Sequence, residues 1–448
     1  MKSAGHAISP ARYFTVLTMG CRVNQVETER LAQTGAAHGF QPAASHQAPD
    51  VIIINTCSVT SESDRQARQL IRRTARAHPQ AQLIVTGCHA QGHADQLAQM
   101  PGVVLVVGNS EKEHLWEHLS RLSIAQPAPC VAPPTDRSRR DDVALVDTFS
   151  DRSRAFLQVQ DGCDGRCTFC AIPTLRGPSR SWSAAYVQTQ AERYRLAGYR
   201  EIVLTGINLG AYGRDRTPPD TLAQLVARLM PDMGETRLRL SSLDPVDLDD
   251  DLLQQFADHA NLCPYLHLSI QSGDDRILKR MGRGYGRQWV LDWCRQWRAV
   301  RPELVLGADL IVGFPTESSA AFQQTVQLVE EAGITFLHVF RYSERPGTPA
   351  AAIPGRFRVP PREARRRSEQ LRHQAMAMLA ATARPWIGQT AAVLLETLEN
   401  GLARGKNAGF LPVRLPAVPG LHTGQLLPVQ IIDFDQTEQT LIGRCLVE

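Results

Sequence analysis

The stretch AFLQVQDGCDGRCTFC, residues 155–170, sets a short apolar run directly before three cysteines spaced CxxxCxxC. A run of that length, closed by aspartate and glycine, reads as a buried strand. A strand that ends in a ligand-bearing loop is how a parallel β/α architecture begins, because its chemistry sits at strand carboxyl ends. Further runs follow at suitable intervals: REIVLTG (200–206), RLRLSSL (237–243), YLHLSIQSG (265–273), LVLGADLIVGF (304–314) and ITFLHVFRYS (334–343). Amphipathic stretches of helical length separate them. Six such β-then-α units predict an incomplete parallel barrel, a partial (β/α)6 domain over 152–384.

Working outward, the amino-terminal segment has the same rhythm in YFTVLTMG (13–20), VIIINTC (51–57), QLIVTGC (82–88) and VVLVVG (103–108). This predicts an α/β domain over 11–125 built on an open parallel sheet, and Cys21, Cys57 and Cys88 each fall just after a run. A proline-rich, mixed-charge stretch over 126–151 reads as a linker. Beyond an arginine-laden helical stretch, residues 386–448 carry short β-rich runs broken by glycine and proline, the pattern of a small β-barrel.

Composition bounds the class. A chain of 448 residues with 43% hydrophobic content has room for two or three cored domains, and ten cysteines are far too few for a disulfide scaffold. The start, MKSAGHAISPARYFTVL, lacks a signal-like apolar run, and no run is long enough to span a bilayer, so reduced thiols in a cytoplasm are expected and a membrane partner is not. The net charge of +4 says little about a nucleic-acid partner.

Cys163, Cys167 and Cys170 have no nearby fourth cysteine or histidine, which fits structural zinc poorly. Three thiolates suit a 4Fe-4S cluster with one iron left open. The amine and carboxylate of S-adenosylmethionine can chelate that iron, and an electron can then break its S–C bond. Phe169 would cover the cluster. The plain alternative is three buried small side chains or an incomplete zinc site in a non-catalytic RNA-binding protein.

GCDGRCTFCAIPTLRGPSRS (162–181) resembles the cluster loop of the radical SAM methylthiotransferase family. TMGCRVNQVETE (18–29), NTCSVT (55–60) and VTGCHA (85–90) are similar to the three segments that supply that family's second 4Fe-4S cluster, which makes Cys21, Cys57 and Cys88 the matching ligands. The terminal barrel resembles the family's RNA-binding TRAM module. GCRVNQVE and SDRQARQLIRR (63–73) look like the branch acting on N6-threonylcarbamoyladenosine in tRNA. The neighbouring branches act on isopentenyladenosine or a ribosomal-protein aspartate. The resemblance implies two 4Fe-4S clusters, S-adenosylmethionine, a tRNA anticodon stem-loop as substrate and an electron donor such as flavodoxin or ferredoxin.

It also implies cofactor contacts from the barrel mouth: Gly206 and Asn208 in LTGINLGAYG, Ser242 in RLSSLDP, Gln271 in LSIQSGDD and Gly313 in DLIVGFPTES, where Thr316 and Ser318 replace the family's usual Gly and Thr. Eight arginines between 356 and 384 suit RNA phosphates, Arg365 and Arg366 foremost. Asn407, Phe410 and Arg414 match family positions that meet RNA, and Phe410 reads equally well as a core residue. Cys130, Cys263, Cys294 and Cys445 read as structural.

Overall fold

The computed structural model describes residues 12–121, 130–131, 143–149 and 152–446, so most of the expected linker lies outside the described residues. The chain packs into two compact units, residues 1–146 with 174–176, and residues 147–173 with 177–448.

The first unit is a six-stranded parallel sheet in the order β2–β1–β3–β4–β5–β6. Its strands are β1 (Arg12–Thr18), β2 (Phe40–Pro42), β3 (Val51–Thr56), β4 (Gln82–Gly87), β5 (Val103–Val107) and β6 (Cys130–Val131). The apolar runs are continuous because helices cover both faces. Val51 and Ile53 join Ile84, Leu105 and Trp116 in one core, while Ile52 and Ile54 join Ile71, Leu83 and Val85 in the other. Sequence reading missed β2 and β6, each of which is only two or three residues long and sits at a sheet edge.

In the second unit, β7 (Ala155–Gln158), β10 (Glu201–Thr205) and β11 (Arg237–Leu240) form one parallel sheet, and β12 (Ser242–Leu243), β13 (Tyr265–Gln271), β14 (Val305–Val312) and β15 (Ile334–Arg341) form another. The third expected strand is thus split at the buried Ser241, and the six β/α units are present. Between β7 and β10, β8 (Gln160–Asp161) pairs antiparallel with β9 (Arg180–Ser181) and closes the base of the cysteine loop. The small barrel is closed by β16 (Thr390–Glu399), β17 (Leu402–Asn407), β18 (Pro412–Pro416), β19 (Leu426–Asp435) and β20 (Thr440–Cys445). β17, LARGKN, was not expected, because its two charges and glycine hide the alternation that buries only Ala403, Gly405 and Asn407.

The small barrel is seated at the amino ends of the larger one's strands. Glu201 opens β10 and is fully buried among three guanidinium groups: Arg154 at 3.0 Å, Arg237 at 2.7 Å and Arg239 at 2.8 Å. Arg154 also pairs with Glu396 of β16 at 2.6 Å, and Arg237 donates to the carbonyl of Ala392 at 3.1 Å. Burial would raise the Glu201 carboxyl, but Arg239, Arg237 and Arg154 outweigh it and hold the group far below the usual carboxylate range.

Removing one member of such a buried network strands the others without a counter-charge, at a cost of about 3–5 kcal/mol. Glu201→Ala is therefore expected to lower the urea midpoint of the second unit sharply, whereas Glu235→Ala, at a surface pair with Arg200, should stay within about 1 kcal/mol of the parent.

Candidate metal centres

β1, β3 and β4 are neighbours in the first sheet, and their carboxyl ends deliver one cysteine each. Cys21 is the N-cap of the helix Arg22–Thr34, Cys57 follows the last residue of β3, and Cys88 opens the helix Cys88–Gly92. Cys57 and Cys88 are buried and Cys21 is exposed. Gly20, at φ +98°, lets the first loop come close: a Cβ there would lie 2.6 Å from the Cys57 Cβ and 2.9 Å from its sulfur. Burial pushes the Cys57 thiol up to about 11, and the nearby Cys88 and Cys21 thiols add to the rise. Thiolate charge gathered this closely is well accommodated by a bound cation.

Polar side chains hold these loops in place. Asn24 donates to the carbonyls of Met19 at 2.8 Å and Thr56 at 3.0 Å, tying the Cys21 loop to the end of β3. Its Oδ1 accepts from Arg176 Nη2 at 2.7 Å and from the Cys21 thiol at 3.6 Å. Glu27, one helical turn on, takes Arg176 at 2.9 Å and Lys112 at 2.5 Å, all three side chains being buried. Burial would raise the Glu27 carboxyl, yet Arg176 and Lys112 hold it at about 2.

In the second unit the loop after β8 carries Cys163, Cys167 and Cys170, each partly buried. Each sulfur accepts an N–H: Cys163 from the Gly165 amide at 3.2 Å, Cys170 from the Ile172 amide at 3.4 Å, and Cys167 from Arg283 Nη1 at 3.3 Å. Arg283 is anchored by Asp244 at 2.6 Å and by the Ser269 carbonyl. Thr168 fixes the loop to the Arg280 and Met281 carbonyls at 2.7 and 3.0 Å. Burial, with the neighbouring Cys167 and Cys163, raises the Cys170 thiol to about 11. Three clustered sulfurs with amide and guanidinium donors aimed at them fit a cluster held by three thiolates, because N–H donors stabilise thiolate charge.

The other expected site residues lie within this loop or at the carboxyl ends of strands β10, β12, β13 and β14. Phe169 packs with Ile277, Met281 and the fully buried Phe314. Gln160 receives the Asn208 amide at 2.8 Å and donates to the Asp161 and Gly162 carbonyls, so it links the loop holding Gly206 and Asn208 to the cysteines. Ser242 is half-buried in β12, two residues before Asp244. Gln271 ends β13 at φ +74°, a backbone position of the kind that gathers at functional sites. The Gly313 amide donates to Glu317 at 2.6 Å, and Glu317 is paired with the buried Arg367, also at 2.6 Å. Thr316 stands at φ +77°, which explains why glycine suits that position, and Ser318 caps the helix Ser319–Glu331.

The residues expected to meet RNA lie on the helix Pro361–Ala383 and on the small barrel. Arg365 and Arg366 are exposed on the helix Pro361–Ala383, paired along it with Glu369 and Glu363. Arg414 pairs with Asp435 at 2.6 Å and Glu438 at 3.2 Å. Phe410 turns inward, its ring 5.0 Å from Tyr265 and 6.0 Å from Phe336, with Arg239 and Lys406 against it. Asn407 is buried and its Oδ1 accepts the Leu411 amide. Sequence reasoning did not single out Glu27, Arg176, Lys112, Gln160 or Arg283. Glu27, Gln160 and Arg176 do lie inside the stretches quoted for their cysteines, and that proximity was the available signal.

A family model described as an uncharacterized protein family, UPF0004, matches residues 13–108, and the radical SAM superfamily model matches residues 157–329. The threonylcarbamoyladenosine tRNA methylthiotransferase MtaB of Rickettsia prowazekii is 38% identical over 94% of this chain and 95% of its own length. The protein of that name from Thermotoga maritima is 36% identical over 85% of each. A tRNA-2-methylthio-N(6)-dimethylallyladenosine synthase from Ruegeria pomeroyi is 34% identical over 94% of this chain and 97% of that protein. Among solved structures, the radical S-adenosylmethionine methyltransferase TsrM from Kitasatospora setae shares the fold, with a TM-score of 0.57 at 14% identity over 76% of this chain and 77% of that one.

The Glu27 network sets a pH window. Its folded carboxyl, at about 2, lies below the unfolded value of about 4.3, so its contribution is present above about 4.3 and lost as the pH falls through 2. Glu27→Ala is expected to destabilise the first unit by about 3–5 kcal/mol at pH 7, with the gap to the parent narrowing below pH ~4. Denaturant melts at pH 7, 4 and 3 check this, and a gap independent of pH contradicts it.

Proposed function

Because the chain belongs to the radical SAM methylthiotransferase family, we propose that it is a tRNA methylthiotransferase placing a methylthio group on C2 of N6-threonylcarbamoyladenosine beside the anticodon. Membership of the radical SAM superfamily entails S-adenosylmethionine and a 4Fe-4S cluster. The observation that carries the rest is the second, separate set of three cysteines, because a radical SAM enzyme that only abstracts hydrogen has no use for Cys21, Cys57 and Cys88. The relatives named for threonylcarbamoyladenosine support the choice of base.

In this reading Cys163, Cys167 and Cys170 hold one cluster, and Cys21, Cys57 and Cys88 hold the other. When bound, the first supplies the electron that cleaves S-adenosylmethionine to a radical able to take hydrogen from adenine C2, and the second supplies the sulfur that another S-adenosylmethionine methylates. A radical is required because that C–H bond is inert to ordinary acid–base chemistry. Arg283 and the Gly165 and Ile172 amides stabilise negative charge on the three sulfurs of the radical SAM loop. Phe169 shields the loop from water, while Asn208, Gly206, Ser242, Gln271 and Gly313 form the rim that orients the cofactor. Asn24 and Glu27, braced by Arg176 and Lys112, keep the Cys21 loop against β3. Arg365, Arg366 and Arg414 neutralise RNA phosphates, exchanging their carboxylate partners for the anticodon stem-loop. The electron for a cluster held by Cys163, Cys167 and Cys170 would come from a small electron-transfer protein of the flavodoxin or ferredoxin class.

Two substitutions separate the centres. Cys167→Ala is expected to abolish formation of 5′-deoxyadenosine. Cys57→Ala should retain that cleavage and lose the methylthio product; a Cys57→Ala enzyme that still methylthiolates RNA contradicts the two-centre reading. The substrate is tested by nucleoside mass spectrometry of tRNA from a strain lacking the gene. Accumulation of N6-threonylcarbamoyladenosine with loss of its methylthio form is expected. Loss of a methylthiolated dimethylallyladenosine instead would keep the chemistry and reassign the base.

A further inference from the structure

The inner face of the partial barrel carries a polar and aromatic cluster that the function above leaves unused. Alternate residues of β13, β14 and β15 share this face, and the parallel register sets Gly307 beside Phe336, Asp309 beside His338 and Ile311 beside Phe340. The Asp309 carboxylate accepts from His267 Nε2 at 3.0 Å and from His338 Nδ1 at 3.1 Å. Burial would raise Asp309, but these two hydrogen bonds outweigh it and keep the group ionised. An ionised carboxylate only accepts, so both imidazole nitrogens facing it carry protons. His267 is steadied further by the Tyr265 hydroxyl at 3.0 Å, and its ring lies 4.6 Å from that of His338 at an interplanar angle of 37°. Gly307 makes room for this arrangement: a Cβ there would lie 2.5 Å from His267 Nδ1 and 2.6 Å from the Tyr265 hydroxyl.

The outcome is a fixed ring presented to solvent. The His338 side chain is 64% exposed although one of its nitrogens is tied down, and Phe340, two residues on and on the same face, is 39% exposed. β15 is the last strand of its sheet, so no further strand of that sheet flanks this pair. At the amino ends of the strands the face is closed by Phe410 against Tyr265. Toward the carboxyl ends, the Ser269 carbonyl, two residues or roughly 7 Å beyond His267 along β13, is held by the same Arg283 that touches Cys167. Two exposed aromatic rings side by side on a strand, one with a defined hydrogen-bonding edge, form the kind of surface on which splayed nucleobases stack.

We propose that His338 and Phe340 form the platform on which the target adenine of the RNA stacks, with Asp309 and His267 as the positioning residues that fix the His338 ring. This inference rests on the tRNA reading above. The adenine of S-adenosylmethionine offers the same ring chemistry; the target base is preferred because both rings stand exposed on the end strand of the sheet.

The test measures binding of the full chain to two synthetic anticodon stem-loops, one with adenine at the target position and one abasic there. The parent is expected to bind the adenine form roughly tenfold more tightly. Phe340→Ala and His338→Ala should lose that preference by weakening only the adenine form, and Phe340→Trp should keep it. Asp309→Asn should reduce the preference and leave affinity for the abasic loop in place, which a general loss of structure would not do. A Phe340→Ala chain that discriminates as the parent does overturns the proposal. So does a Phe340→Ala chain whose preference is intact while S-adenosylmethionine binding is weakened, which would assign the ring to the cofactor. A parent that binds both loops equally overturns the platform alone, and a parent that binds neither overturns the tRNA reading with it.

Discussion

A parallel sheet brings the carboxyl ends of all its strands to one edge, and adjacent strands stand only about 4.8 Å apart. Residues far apart in sequence can then share one small volume without any long loop reaching for another. Both cysteine sets depend on this constraint. Cys21, Cys57 and Cys88 come from the ends of three adjacent strands. Cys163, Cys167 and Cys170 come from one loop, but Asp244 and Arg283, which orient it, approach from the segments that follow β12 and β13. The close approach at Gly20 shows how little room is left at such an edge.

Electrostatics divides the labour inside this frame. Where the chain needs rigidity it buries carboxylates among arginines, as with Glu201 at the seat of the small barrel and Glu27 beneath the Cys21 loop. Such pairs are costly to assemble in place of apolar packing, and what they provide is definition of position. Where cysteines gather at strand ends, burial raises the Cys57 and Cys170 thiols, so the thiolate forms there need a compensating positive charge. The inner barrel face follows a third pattern, in which an ionised Asp309 orients imidazoles and leaves an aromatic edge open.

Much of the fold was legible because short apolar runs rich in β-branched residues, such as VIIINT and LIVTG, mark buried parallel strands. The cysteine positions were legible for the same reason, since each follows such a run. Very short edge strands such as Phe40–Pro42, and the charged β17, escaped because their stability comes from neighbours rather than from their own pattern. The polar residues that brace the centres were hidden more deeply. Lys112 and Glu27 are 85 residues apart, and His267 and Asp309 are 42 apart. Packing of the Arg22–Thr34 helix and the segment after β5 on the sheet joins the first pair, and the register of β13 on β14 joins the second. Phe410 illustrates the converse: its position suited an RNA contact, yet its ring is committed to Tyr265, Phe336 and Arg239.

The account stands on two three-cysteine centres of the same kind in one chain, and the most direct test is the iron and acid-labile sulfide content after anaerobic reconstitution. The parent should hold about eight irons and about eight sulfides per chain, and a variant with Cys163, Cys167 and Cys170 all replaced by alanine should hold about half as many. Zinc without sulfide, or a single cluster that disappears entirely with those three cysteines, would contradict it.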